Sequence, residues 1–343
     1  MGVNTLSAQP DLRRITMPDL FHFIEKLKPH IPPGGKVVSE KDEVWVLDNT
    51  AFRPEQVPGQ QPDPWQAEYV AAFFHHNQES HEKAVAAISI LMHELGLSAN
   101  DEATKERIKQ RLAPFMRGIG SNMTVDVIYE PNVEGGGQLS LGPSDGNGIS
   151  SQLFNVPAAD PTTGGAVHQR NGPLTVSVVE KEAESSAQCS LTSGLEKGTT
   201  YLAEDGGWAV ISDLDDTAKV SCVNNHRLLL ENTFVNLPQH TPGLPELYNA
   251  LYTTLSTDER PTPFFYISAS PYNLYPFLRN FIREAKYPGG QIILRDMSWM
   301  DIHSWYSRHE DSIFHSLPVK QYKDDRFVRL IQTLHDILIL TIL

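Results

Sequence analysis

The sequence predicts an α/β protein. A parallel-sheet unit spans residues 206–343, and residues 1–205 form an N-terminal region combining helices with a small β-rich module. Three observations carry that expectation. After Gly206, short apolar runs alternate with helical stretches, the pattern of βα units. Between Pro131 and Thr200 lie 11 of the 23 glycines, a density that suits turns between short strands. Upstream, apolar residues recur at helical spacing.

In chain order, Thr16 followed by Pro18 opens a helix carrying Leu20, Phe23, Ile24 and Leu27 on one stripe. Residues 53–64 hold Pro54, Pro58, Pro62 and Pro64 and form a loop. Ser80 caps a helix running to about Leu95, with Val85, Ile88, Leu91 and Met92 inward. Asn100 caps the next, with Ile108, Leu112 and Phe115 inward. Alternation predicts strands at 123–130, through Val125, Val127 and Tyr129, and at 174–180, through Leu174, Val176 and Val178. Glycine-rich turns lie between them, and residues 158–172 suit either a long loop or a disordered connector. The second unit then reads as strand 208–212, helix 245–255, strand 264–267, helix 274–283 and strand 291–294. A sheet built this way binds ligands at the carboxyl ends of its strands.

The chain has 343 residues with 28 basic and 42 acidic side chains, a net charge of −14. That balance argues against nucleic-acid binding, which depends on Lys and Arg at phosphates, and against a polybasic membrane anchor. No apolar run approaches the roughly 18 residues a spanning helix needs. Residues 1–16 lack the apolar stretch of a secretory signal, and the two cysteines, Cys189 and Cys222, make no disulfide framework. The expectation is a cytoplasmic globular protein without a transmembrane segment. None of the 13 histidines shows a metal-binding spacing, so His75, His76, His81, His303, His309 and His315 are read as solvated surface.

The strongest chemical signal is Ser212-Asp213-Leu214-Asp215-Asp216-Thr217 at the end of an apolar strand. Carboxylates crowded there repel one another unless a cation neutralises them. A hard ion with oxygen ligands, Mg2+, suits the donors. A carboxylate can attack phosphorus and form an aspartyl-phosphate. A second Asp can protonate the leaving oxygen and later activate water, with Thr217 orienting it. A second strand ends in Ser268, whose hydroxyl can meet a phosphoryl oxygen. Lys323, opening a helix with Phe327, Leu330, Ile331 and Leu334 inward, can supply a cation, and Lys320 is a rival for that role. Arg279 and Arg295 are candidates for a lipid phosphate.

Together these residues resemble the haloacid-dehalogenase superfamily of phosphatases, and more closely the catalytic domain of the fungal actin-patch phosphatidate phosphatases. The segments that carry the likeness are SDLDDTAKVS at 212–221, LLLENTF at 228–234, PGLPELYNAL at 242–251, FFYISASPYNLYPFLRNFI at 264–282 and QIILRDMSW at 291–299. Upstream, LDNTAF at 47–52, WQAEYVAAFF at 65–74 and RLAPF at 111–115 are similar to that family's amino-terminal region. The resemblance implies a Rossmann-like, haloacid-dehalogenase-type domain that hydrolyses phosphatidate to diacylglycerol. It implies Asp213 as nucleophile and Asp215 as general acid and base. Mg2+ would sit between the Asp213 carboxylate and the Asp215 carbonyl, Ser268 at the phosphoryl group, and Lys323 in the place of the helix-borne lysine. It places the protein at cortical actin patches, with phosphatidate or a related phospholipid at a membrane surface as substrate. An adaptor protein would recruit it, although 53–64 contains no Pro-x-x-Pro.

The likeness has one gap. The family pattern ends in an apolar strand closing on Gly-Asp-Ser, and no Gly-Asp pair follows Lys323. Asp336 belongs to the helix or its end and takes no such role. Residues 337–343 are expected to begin a strand whose acidic end is absent, which makes the predicted catalytic domain C-terminally incomplete. The alternative is a catalytically impaired relative acting as a binding or scaffold module at actin patches. Ala218 stands where relatives tend to carry Ile, a loss of packing alone.

Overall fold

The computed structural model describes residues 36–39, 42–52, 65–75, 92, 95–96, 102–130, 138–156, 174–178, 195, 197–204, 206–257, 260–294 and 338–342. The first half supplies β1 (Lys36–Val37), β2 (Asp42–Val46), β3 (Asn49–Phe52), β4 (Gln66–His75), α1 (Glu102–Leu112), β5 (Gly118–Ile119) and β6 (Met123–Glu130). It continues with β7 (Leu139–Leu141), β8 (Ile149–Asn155), β9 (Leu174–Val178) and β10 (Lys197–Ala203). The second half supplies β11 (Trp208–Asp213), α2 (His226–Leu230), α3 (Leu244–Leu255), β12 (Phe264–Ser268), α4 (Tyr275–Glu284), β13 (Gly290–Leu294) and β14 (Leu338–Ile342). Among the described residues no helix is long and apolar enough to cross a membrane.

The first ten strands form one sheet, ordered β1-β6-β9-β10-β3-β4-β2, with β5 and β8 also on β4 and β7 on β6. Here the structure differs from the helical reading of the region before residue 123, because β2, β3 and β4 are strands. The reason lies in what covers them. Along β4, Ala67, Tyr69, Ala71 and Phe73 enter one apolar core while Val70, Ala72 and Phe74 enter another. Both faces are buried, so the period-2 signal disappears into a continuous apolar run, and the alanines imitate a helix. The same division places Val44 and Val46 in the first core and Trp45 and Leu47 in the second. His75, read as solvated surface, bonds Asp42 at 2.6 Å across the β2–β4 pair. The helix after Asn100 is present as α1, with Ile108 and Leu112 buried. The proposed helices at 16–27 and 80–95 and the loop at 53–64 lie outside the described residues, except Met92 and Leu95, which are buried.

The second sheet is entirely parallel and ordered β13-β12-β11-β14, as the alternating runs predict. The chain steps outward from β11 to β12 to β13, and β14 then pairs on the other side of β11. The strand order therefore reverses at β11, and such reversals open a crevice at the carboxyl edge. Residues 338–342 do form the strand expected of that run, with Ile342 level with Ser212.

The face of this sheet carrying Val210, Phe264, Tyr266, Ile292 and Leu294 packs on Tyr248 of α3 and Leu278, Phe281 and Ile282 of α4. That core also takes in Trp45, Leu47, Val70, Ala72 and Phe74 of the first sheet. The opposite face, with Ala209, Ile211, Phe265 and Ile293, meets Phe52 and Ala203. A boundary near residue 205 separates the two sheets along the chain, while their apolar cores run together.

Candidate active site

The carboxyl edge of the parallel sheet is where the predicted residues gather. β11 runs through buried Ala209, Val210 and Ile211 and ends at Asp213, and the Leu214 N–H continues the ladder to the Ile267 carbonyl at 2.9 Å. The chain then turns. Asp216 takes a left-handed φ of 62°, a conformation Asp tolerates through local bonding. Its carboxylate accepts the N–H groups of Ser221 at 2.8 Å, Cys222 at 2.6 Å and Val223 at 2.7 Å. Asp216 thus closes the loop 216–223, and the three clustered carboxylates do not converge on one point.

Asp213 is half-buried and accepts from the Thr217 hydroxyl at 3.1 Å. Thr217 was expected to orient the second Asp and instead holds the first. Burial pushes the Asp213 carboxyl up to about 6; the Thr217 bond opposes this, and the negative charges of Asp215 and Asp216 add to it. Below it, the Ser212 hydroxyl donates to the Asp213 carbonyl at 2.7 Å, which leaves the Tyr248 hydroxyl as donor to Ser212 at 2.6 Å.

Asp215 is held on both oxygens. Oδ2 accepts from Ser268 at 2.6 Å and, at the outer limit, from Ser270 at 3.5 Å. Oδ1 accepts from Ser221 at 2.7 Å and lies 3.2 Å from the Lys219 ammonium. Burial works against the charge, but Lys219 and these hydroxyls outweigh it and hold the Asp215 carboxyl below its ordinary value. Ser268, expected at a phosphoryl group, stands at the end of β12 with its proton on Asp215 and accepts from the Ser270 N–H at 3.0 Å. The strand ends thus bring Asp213, Asp215, Thr217 and Ser268 to one edge. Lys323, its rival Lys320 and Arg295 lie outside the described residues.

The Arg279 guanidinium grips Asp48 with Nε at 2.9 Å and Nη2 at 2.8 Å, a tie between the two sheets' regions. Sequence reasoning passed over Lys219, Ser221, Ser270 and Tyr248. The one available signal was a lysine and a serine following so closely on an acidic strand end; what they bond emerges only once the turn at Asp216 folds the chain back.

Among the described residues no three His, Cys, Asp or Glu side chains converge as a metal centre. A hard divalent cation nonetheless fits the chemistry of the edge. Asp213 offers an anionic oxygen whose proton affinity is raised first by burial and further by the charges of Asp215 and Asp216, a cost a cation would offset, while Asp215 is already paired with Lys219. Residues 208–342 match a family model described as phosphatidate phosphatase APP1, catalytic domain. No curated protein matches the chain.

Proposed function

We propose, from the membership of residues 208–342 in that catalytic-domain family, that this chain is a Mg2+-dependent phosphatidate phosphatase of the haloacid-dehalogenase type. One observation carries the reading: the matched segment delivers Asp213 to the carboxyl edge of a parallel sheet, at the reversal of strand order, beside an Asp215 fixed by Ser268. Asp213 is the nucleophile. One of its carboxylate oxygens bonds to phosphorus as the bond from phosphorus to the glyceride oxygen breaks. Asp215 gives its proton to that leaving oxygen. It then takes one from the water that attacks the aspartyl-phosphate, releasing phosphate and restoring Asp213. The donors around Asp215 favour its carboxylate, the form the second step needs. A phosphate dianion beside it raises its proton affinity for the first.

Thr217 fixes the Asp213 carboxylate, and Ser268 can turn its proton from Asp215 to a phosphoryl oxygen when substrate arrives. Lys323 fills the role of the helix-borne lysine. The Asp213 carboxylate and the Asp215 main-chain carbonyl would hold Mg2+, which supplies charge neutralisation at the phosphoryl oxygens. The lipid is met at the cytoplasmic face of a membrane, with cortical actin patches and their adaptors as the proposed setting. Purified protein given phosphatidate in mixed micelles should release phosphate with Mg2+ and cease with chelator, and Asp213→Asn should abolish release. Undiminished release by that variant contradicts the nucleophile assignment.

A further inference from the structure

Lys219 carries a charge into the core and is 2 % exposed. Burying an ammonium is costly unless it is closely paired, and here the backbone and the side chain are both fixed. Its N–H donates to the Leu214 carbonyl and its carbonyl accepts from the Asp216 N–H, each at 2.7 Å, while β-bridges join it to Asp215 and His240. The ammonium donates to the Ser221 hydroxyl, lies 3.2 Å from Asp215 Oδ1 and sits 5.8 Å from the centre of the Phe277 ring. The other contact on that ring is the Arg111 guanidinium at 4.4 Å from its centre, so Phe277 is held from α1 as well.

The contacts divide by oxygen. All four partners of Asp215 are buried, but Oδ1 receives Lys219 and Ser221, which belong to the 216–223 loop. Oδ2 receives Ser268 and Ser270, which lie at and just beyond the carboxyl end of β12, where a ligand would enter. One oxygen is anchored within the loop that follows β11, and the other lies at the carboxyl end of β12 on a hydroxyl donor that can change partners. We infer that Lys219 is a positioning residue that, through Ser221, locks Oδ1 of Asp215 so that Oδ2 alone exchanges the proton with the ester oxygen and with water. The inference rests on the phosphatase reading above.

The test uses the dependence on the leaving group in the full-length protein. Glycerol 3-phosphate and phosphatidate expel an alkoxide that needs a proton; p-nitrophenyl phosphate expels an anion that does not. For Lys219→Met the inference expects kcat/KM, which reports the step that expels the leaving group and not the later attack of water, to fall about a hundredfold on the alkyl esters, within the range of general acid–base effects. On p-nitrophenyl phosphate the fall should stay within about fivefold. An equal fall on both classes overturns it, since a merely structural lysine affects all substrates alike. Ser221→Ala, which keeps the buried charge pair, should show the same selectivity at smaller size; where Lys219→Met fails to fold, equal falls in Ser221→Ala overturn the inference instead. A wild type that cleaves glycerol 3-phosphate but not phosphatidate ends the lipid reading and leaves this comparison decisive. For a wild type that cleaves none of the three, a crystal structure of Lys219→Met or Ser221→Ala decides, and Asp215 unmoved in it overturns the inference.

Discussion

Asp213 and Asp215 share one strand end, but the fold shifts their proton affinities in opposite directions. Asp213 is raised to about 6 from an ordinary 3.8, chiefly by burial, so the folded protein binds its proton more tightly than the unfolded chain does. Its contribution to stability is therefore complete below about pH 4 and is lost as the pH rises through about 6. Asp215 is lowered, so its contribution is present at neutral pH and is lost only as acid protonates it. Removing the Asp213 charge should isolate the first effect. Without divalent cation, urea unfolding of Asp213→Asn should show it gaining about 2 kcal/mol on the wild type between pH 4 and pH 8; parallel profiles would show that Asp213 is not destabilised by its site. Asp213 and Asp215 stand out in the sequence because an apolar run ends in carboxylates at alternate positions, and they lie at and just beyond the end of β11. The work of Asp216 was not legible there, since a carboxylate that closes a loop and one that meets a cation share the same letter. Thr217 was found as a residue and misread as a contact for the same reason.

At the scale of elements, the second half was largely legible. Strands β11, β12 and β13 and helices α3 and α4 appear within one or two residues of the apolar runs and helical stretches that predict them. Parallel strands buried on both faces leave short continuous apolar runs between polar turns, and their boundaries survive in the sequence. The first half was less legible for a related reason. β2 and β4 are buried on both sides by two different cores, so hydrophobic alternation, the one local sign of a strand, is erased. β7, β8 and β10 are built partly of Ser, Thr and Gly, and β8 alternates exposed with half-buried positions rather than polar with apolar letters. Only long-range pairing, β8 against β4 and β10 against β3, makes them strands.

At the scale of the whole molecule, the parallel sheet does not finish its own core. Trp45, Leu47 and Phe74 enter it from the first sheet, and beside them Asp48, 6 % exposed, joins the Arg279 fork to the Thr199 N–H at 2.8 Å while its own N–H donates to Tyr275 at 2.8 Å. Asp48→Ala removes the acceptor of the Arg279 fork and of the Thr199 N–H and should cost about 3 kcal/mol. Denaturant melts followed by tryptophan fluorescence and by circular dichroism should still coincide in that variant; a separate early transition would show two independently folding units. The proposed reaction turns on covalent chemistry at a single carboxylate, Asp213. Its most direct test is to quench turnover of a phosphate-labelled alkyl phosphate in acid, reduce the trapped acyl phosphate with borohydride, and sequence the peptides by mass spectrometry. The prediction is reduction at residue 213, absent in Asp213→Asn. Steady turnover with residue 213 unmodified, or modification at another residue, would contradict it.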